Sequence, residues 1–283
     1  TGPAKANPKM NYYKDSKVIL LIHTAPGESE WLKPEQEIES VAGKAETKEN
    51  KQKELALNAD WVAAVGPHLF FETQSLLSGA TSNNNLIQFN PGLFKPIDQI
   101  NFDFTTLTPE ALLVGRIEDY TLKGVDIAVR SMHNVYTKWD IKTNGYLVKP
   151  KLIRRGLTVG TDDQLIKKLK ELESSNLRIQ PKNYNAQTDV INEDIRKTAL
   201  VLMPSRAEGF GLIALEALSN GRPILVSESS GFAMLLKKVD AEGANQWIVP
   251  NGPDDNIKGW GEKIYNILSD RKAVSERLRT TIE

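Results

Sequence analysis

Not one cysteine occurs in the 283 residues. That removes disulfide scaffolding, thiol nucleophiles and thiolate metal sites together, and it leaves the redox compartment undetermined. Net charge is absent too: Lys+Arg and Asp+Glu each total 36, so no overall field steers the chain toward nucleic acid or an acidic membrane surface. The longest apolar run near the N-terminus, Val18 to Ile22, is too short to span a bilayer or to form a signal-peptide core. The expected address is therefore cytoplasmic. Internal repeats and low-complexity tracts are missing as well. The opening stretch, Thr1 to Pro8, is irregular and reads as a linker or a cut end.

What is present is an alternation of short buried strands with amphipathic helices. Val18–Ile22, Asp60–Val65 and Leu86–Leu93 read as strands. Between the first two, a Glu/Lys-rich stretch from Glu35 to Glu54 reads as a loop and a solvated helix. Lys95 to Thr108 is a connection of low hydrophobicity with prolines in reach, and it sets the expected boundary between units 1–95 and 96–283. The second unit opens with the strand Ala111–Arg116 and the helix Val125–Val135, then strands within Leu147–Gly160. A helix at Leu165–Leu172, a short strand at Leu177–Ile179 and a helix at Val190–Arg196 follow. The strands Ala199–Met203, Pro223–Ser227 and one within Gly243–Pro250 precede a closing helix, Ile257–Leu278. This order implies an α/β fold of two Rossmann-type, doubly wound parallel-sheet units.

The most informative segment runs from Pro204 to Pro223. An apolar strand ends at Pro204, a glycine-containing loop follows, and an apolar-periodic helix begins with few side chains to shield its backbone N–H groups. Such a helix start carries unpaired donors and partial positive charge, and it suits a phosphate. Glu208 in the loop and Glu216 about two turns further on are spaced to grip two parts of one polar ligand, such as two sets of sugar hydroxyls. Ligands of open α/β sheets bind at the carboxyl ends of the strands. That rule places Gly115-Arg116 and Lys123-Gly124 on the same rim as Glu208, where a guanidinium and an ammonium make a pyrophosphate clamp. His68 and His133 read as structural.

These residues resemble the retaining family-4 glycosyltransferases of the GT-B fold. Gly115-Arg116, Lys123-Gly124, the Pro204–Pro223 string and the order of elements from Ala111 onward carry the resemblance. It implies that Glu208 contacts the transferred sugar and Glu216 the ribose. The backbone of Gly209, Phe210, Gly211 and Leu212 would meet the diphosphate, and Arg116 and Lys123 would neutralise it. The nucleobase would lie against a loop around Arg178 to Lys182, where Ile179-Gln180-Pro181 leaves uracil and guanine both open. Ile22-His23-Thr24 is similar to the family's strand-end His-Thr, whose histidine faces the donor across the cleft. Ala59–Gly66 and Asn90-Pro91-Gly92 match later parts of the acceptor domain. The earlier part of that domain, with its Gly-rich loop, is not in this chain. The first unit is therefore expected to be incomplete, as fits a fragment, a shortened member, or a protein completed by another domain or chain.

The expected catalytic residues are Glu208, His23, Arg116 and Lys123, and the expected donor site adds Gly115, Gly209, Phe210, Gly211, Leu212 and Glu216. Breaking a sugar–phosphate bond leaves negative charge on the diphosphate, which fixed cations and a helix start stabilise without a metal or other cofactor. The expected donor is a UDP- or GDP-sugar and the acceptor is open. Two other readings stand beside this one: a nucleotide-sugar binding module without catalysis of its own, and a related phosphorylase. The last would want a lysine holding pyridoxal phosphate, and no local pattern suggests one.

Overall fold

The computed structural model describes residues 16–32, 38–79, 85–116, 119–143, 146–157, 171 and 177–282. The helix expected at Leu165–Leu172 lies outside them except for Glu171, which is helical.

The first unit is a parallel sheet of three strands in the order β1-β2-β3, formed by Ile19–Ile22 (β1), Trp61–Val65 (β2) and Asn85–Phe89 (β3). Helices α1 (Pro26–Trp31) and α2 (Ile38–Leu57) join the first two strands, and α3 (Gly66–Leu77) joins the second to the third. His68 of α3 bonds Glu28 of α1 through Nε2 at 2.9 Å, tying the two helices together.

Consecutive parallel strands that advance in one direction through right-handed crossovers place their connecting helices on one face. The burial follows this rule. Ile22, Val62 and Ala64 are buried on one side. On the other, the registered positions Ile19, Leu21, Trp61, Ile87 and Phe89 are 41–65% exposed. Parallel sheets are ordinarily covered on both faces; among the described residues this apolar face is covered only in part, at Ala63 and Val65.

The second unit is a six-stranded, all-parallel sheet in the order β11-β10-β9-β4-β7-β8. Its strands are β4 (Glu110–Val114), β7 (Lys151–Leu157), β8 (Arg178–Asn183), β9 (Leu200–Met203), β10 (Ile224–Ser227) and β11 (Ile248–Val249). A small antiparallel pair, β5 (Lys142–Thr143) with β6 (Tyr146–Leu147), sits apart from it. The helices are α4 (Val125–Lys138), α5 (Thr188–Lys197), α6 (Leu212–Ser219), α7 (Gly231–Val239), α8 (Ile257–Ser269) and α9 (Arg271–Ile282). All four residues of β9 and of β10 are buried, as central parallel strands require.

Two expectations need correction: the single closing helix and the loop at Arg178–Lys182. Within the connection Lys95–Thr108, Ile100, Phe102 and Phe104 alternate inward and are all buried. The closing helix is two helices, broken at Asp270, whose carboxylate accepts the backbone N–H of Ala273 as an N-cap does. Gly243–Pro250 holds the expected last strand as the two residues of β11, after a 3₁₀ turn at Gly243–Gln246. Arg178–Lys182 is part of the edge strand β8 and not a loop.

Candidate functional site

The site lies at the carboxyl ends of β4 and β9, adjacent strands at the middle of the larger sheet. After β4 the chain passes Gly115 and Arg116 and returns through Leu122 and Lys123 to the start of α4. After β9 it passes Pro204 to Gly211 and enters α6. The two loops touch closely at Gly124, which has φ +61° and whose Cβ, if present, would lie 2.1 Å from the Pro204 carbonyl oxygen. Only glycine fits there.

Gly211 is the N-cap of α6, with φ 100°, and supplies no side-chain oxygen to that helix start. Its conformation is the left-handed one that glycine adopts without steric cost. The loop before it is pinned from behind: Gly231 donates its N–H to the Glu208 carbonyl at 3.1 Å, and Phe232 donates to the Phe210 carbonyl at 2.8 Å. The first turn of α6 is thus held in place, with backbone donors and a positive dipole end at the rim.

Lys123 Nζ stands 2.7 Å from Glu208 Oε2 in a largely buried ion pair. Ser205 donates its hydroxyl to the same carboxylate oxygen at 3.3 Å. Glu216 lies just past the first turn of α6, nearer the helix start than the spacing from Glu208 suggested. Its side chain is half-buried, and burial raises its pKa above the ordinary carboxylate value. Arg116 is 69% exposed and turned toward Asp119, with Nε 3.3 Å from Oδ2.

The first unit supplies the opposite wall. Leu69 and the start of α3 meet the donor loop, since a Cβ on Gly66 would lie 2.3 Å from the Phe210 ring and one on Gly209 would lie 3.0 Å from Leu69. His23, exposed beyond β1, lines a cleft cavity of about 440 Å³ together with Arg116, Lys123 and Glu208. An adjoining cavity of about 840 Å³ has apolar walls from Leu21, Phe89, Phe94 and Met203, and His23, Lys123 and Glu208 also border it. The structure therefore brings Gly115, Arg116, Lys123, Glu208, Gly209 and His23 to one cleft, with Phe210, Gly211 and Leu212 at the edge of the apolar part.

Sequence reasoning passed over Arg206. Its guanidinium bonds both oxygens of Asp126, at 2.9 and 2.7 Å, and both of Asp255, at 3.3 and 2.6 Å. The partners lie 80 and 49 residues away, beyond any local pattern.

Comparison with known proteins decides the family. The family described as "Family 4 Glycosyltransferase in conflict systems" matches residues 1–282. The chain belongs to this family. Family-4 glycosyltransferases are retaining enzymes that draw on nucleotide-sugar donors. Among curated relatives, an uncharacterized glycosyltransferase of Methanocaldococcus jannaschii is 30% identical over 96 residues, covering 31% of this chain and 24% of that protein.

Among solved structures, sucrose-phosphate synthase of Thermosynechococcus elongatus superposes with a TM-score of 0.66 at 16% identity, covering 97% of this chain and 66% of its own. TarM of S. aureus, in a complex that includes UDP, gives a TM-score of 0.64 at 16% identity, covering 95% of this chain and 48% of its own. At these identities the likeness shows the fold, which is GT-B-like. The family-4 glycosyltransferase chain described here spans about a quarter of that curated relative and up to two thirds of these structural neighbours.

Proposed function

We propose that this chain holds a nucleotide-diphosphate sugar in the cleft and passes its hexosyl group, with retention of configuration, to an acceptor that enters from the first unit. The observation that carries the reading is the Lys123–Glu208 pair, 2.7 Å apart, set against the uncapped start of α6. A cation and a bank of backbone donors face the place of a diphosphate, while a carboxylate faces the sugar that the diphosphate bears.

In this reading Lys123, Arg116 and the backbone from Gly209 to Leu212 take the charge that develops on the leaving diphosphate. Glu208 holds the sugar, Glu216 the ribose hydroxyls, and His23 orients the sugar or the acceptor hydroxyl from the opposite wall. The exposed side chain of Arg116 reaches the same cavity and needs only a rotamer change to leave Asp119. These groups supply the positive charge, so no metal or other cofactor is invoked. The unit boundary is placed near residue 95, and the address is taken as cytoplasmic. Among the described residues no helix is long and apolar enough to cross a membrane. The TarM complex contains UDP, which supports a uridine donor; GDP-sugars remain the other candidate.

The exposed face of the three-stranded sheet favours a second reading, in which this chain binds the nucleotide sugar and another α/β segment or chain completes the acceptor side before transfer occurs. Calorimetric titration of the protein with UDP, GDP and their sugars tests the shared premise, and absence of binding by all of them removes both readings. Donor hydrolysis or transfer by this chain alone then separates them. If turnover is seen, it falls by several orders of magnitude in Glu208→Ala and in Arg116→Ala, and unchanged rates mean that the site is misplaced.

A further inference from the structure

The donor loops are joined by one side chain for which neither the ion pair at the site nor the helix start accounts. Arg206 lies two residues before Glu208, and its side chain is 20% exposed. Its backbone N–H donates to the Leu122 carbonyl at 2.9 Å, next to Lys123. Its guanidinium donates to the Thr121 carbonyl at 2.7 Å and to both oxygens of Asp126 in the first turn of α4. On its other side it grips Asp255 at the entrance to α8.

Asp255 belongs to a turn in which Asp254, Asp255 and Asn256 all have positive φ, at 52°, 53° and 50°. Three consecutive non-glycine residues in that region persist only where the surroundings fix them. Arg206 fixes Asp255, and Arg130 of α4 fixes Asp254 through bonds of 2.8 and 2.9 Å. The result is a closed frame: the guanidinium, carried by the loop bearing Glu208, is bonded to the loop bearing Lys123 and to the starts of α4 and α8.

We propose that Arg206 is a positioning residue of the donor site, setting where Lys123 stands relative to Glu208 by holding Asp126 and Asp255 at once. This rests on the donor-site reading given above. A planar fork with five donors satisfies two carboxylates and a carbonyl together. A lysine at this place is a single point charge with three donors, able to stay with one carboxylate only by releasing the other. Misplacement by about 1 Å can cost a reaction about 100-fold, and a charge-assisted contact is likewise sensitive to geometry, so a loosened frame is felt at Lys123 before it is felt by the fold.

The test compares Arg206→Lys with the unaltered protein for UMP against UDP and GMP against GDP, by calorimetric titration, with thermal melting recorded beside it. In the unaltered protein the second phosphate, met by Lys123, adds about tenfold in affinity, as expected of a charge-assisted contact. The expected result for Arg206→Lys is monophosphate binding within about twofold of the original and loss of most of the gain from the second phosphate. Asp126→Asn, which keeps Arg206 but weakens one arm, is expected to act in the same direction.

A purely structural role predicts something else: monophosphate and diphosphate affinities fall in parallel with the melting temperature. That outcome, or a gain left intact in both variants, overturns the inference. If the unaltered protein itself shows no gain from a second phosphate with either base, the donor-site reading fails and this inference falls with it.

Discussion

Lys123 Nζ lies 2.7 Å from Glu208 Oε2, so in the ligand-free protein the cation meant for a diphosphate is bonded to the carboxylate meant for a sugar. Neither group is left bare in the cleft, and a donor exchanges one partner for another. The two truncations then have opposite signs for a sugarless ligand. Lys123→Ala removes a charge-assisted contact worth about 1.5–3 kcal/mol, and the affinity for UDP or GDP falls about 10- to 100-fold. Glu208→Ala frees Lys123 and leaves diphosphate binding unchanged or tighter, while any extra affinity contributed by the sugar disappears. Titration with UDP and a UDP-sugar, or the guanosine pair, checks both; a loss of UDP and GDP affinity in Glu208→Ala equal to that in Lys123→Ala contradicts this exchange.

Glu216 gives a pH-dependent counterpart. Burial raises its pKa in the free protein, and ribose hydroxyls donate more strongly to the ionised form, whose two oxygens both accept. Binding therefore favours loss of the proton, and affinity for a nucleoside diphosphate rises with pH up to the raised pKa and levels off above it. Glu216→Gln is expected to flatten that segment of the profile, weaken ribose-dependent binding, and leave the ligand-free protein as stable as before or slightly more so, because a half-buried charge is removed. A profile of the same shape in Glu216→Gln assigns the titration to another group.

The parts of this architecture that were legible in the sequence are those written in short-range periodicity. Ala199–Met203 is uniformly apolar because β9 is covered on both faces, and the glycines after it mark where two loops must approach. What was missed was either polar or distant. β8 lies at a sheet edge, where Arg178 and Gln180 are exposed, Lys182 reaches back to Asp194 and Pro181 is tolerated, so its composition is that of a loop. Phe102 and Phe104 alternate with polar neighbours over too short a span to stand out, and each is flanked by a guanidinium, that of Arg279 at 5.8 Å and that of Arg222 at 5.9 Å. Arg206 stood in plain sight within the most informative string. Its partners Asp126 and Asp255 come from helix starts that only the folded sheet brings together.

The bond between His68 and Glu28 makes a prediction about stability in the first unit. Glu28 raises the His68 pKa above its reference of 6.5, chiefly through their hydrogen bond. A histidine whose folded pKa is raised stabilises the protein fully below its unfolded pKa and loses that contribution as pH rises through the folded one. Thermal stability is expected to decline from about pH 6.5 upward until the folded pKa is passed. His68→Gln keeps a hydrogen-bonding side chain without the charge, and its decline over that window is expected to be smaller. Parallel stability profiles for the two proteins would show that the pair contributes nothing through its charge.

The more exposed face of the first sheet makes a prediction that does not depend on the donor site. Ile19 and Ile87 are 65% and 43% exposed on that face, whereas Val62 on the opposite face is fully buried beneath the connecting helices. Lysine at Ile19 and at Ile87 replaces exposed apolar surface by charge, so each should change stability by no more than about 0.5 kcal/mol. Both should also raise the monomeric fraction at high concentration, because exposed apolar patches of this kind promote association. Val62→Asp places an unpaired charge in the covered layer and should cost about 3 kcal/mol or more. Thermal melting with sedimentation velocity distinguishes the two faces. Comparable destabilisation by Ile19→Lys and Val62→Asp would mean that both faces are packed in solution, and that the 283-residue chain already carries what covers the second.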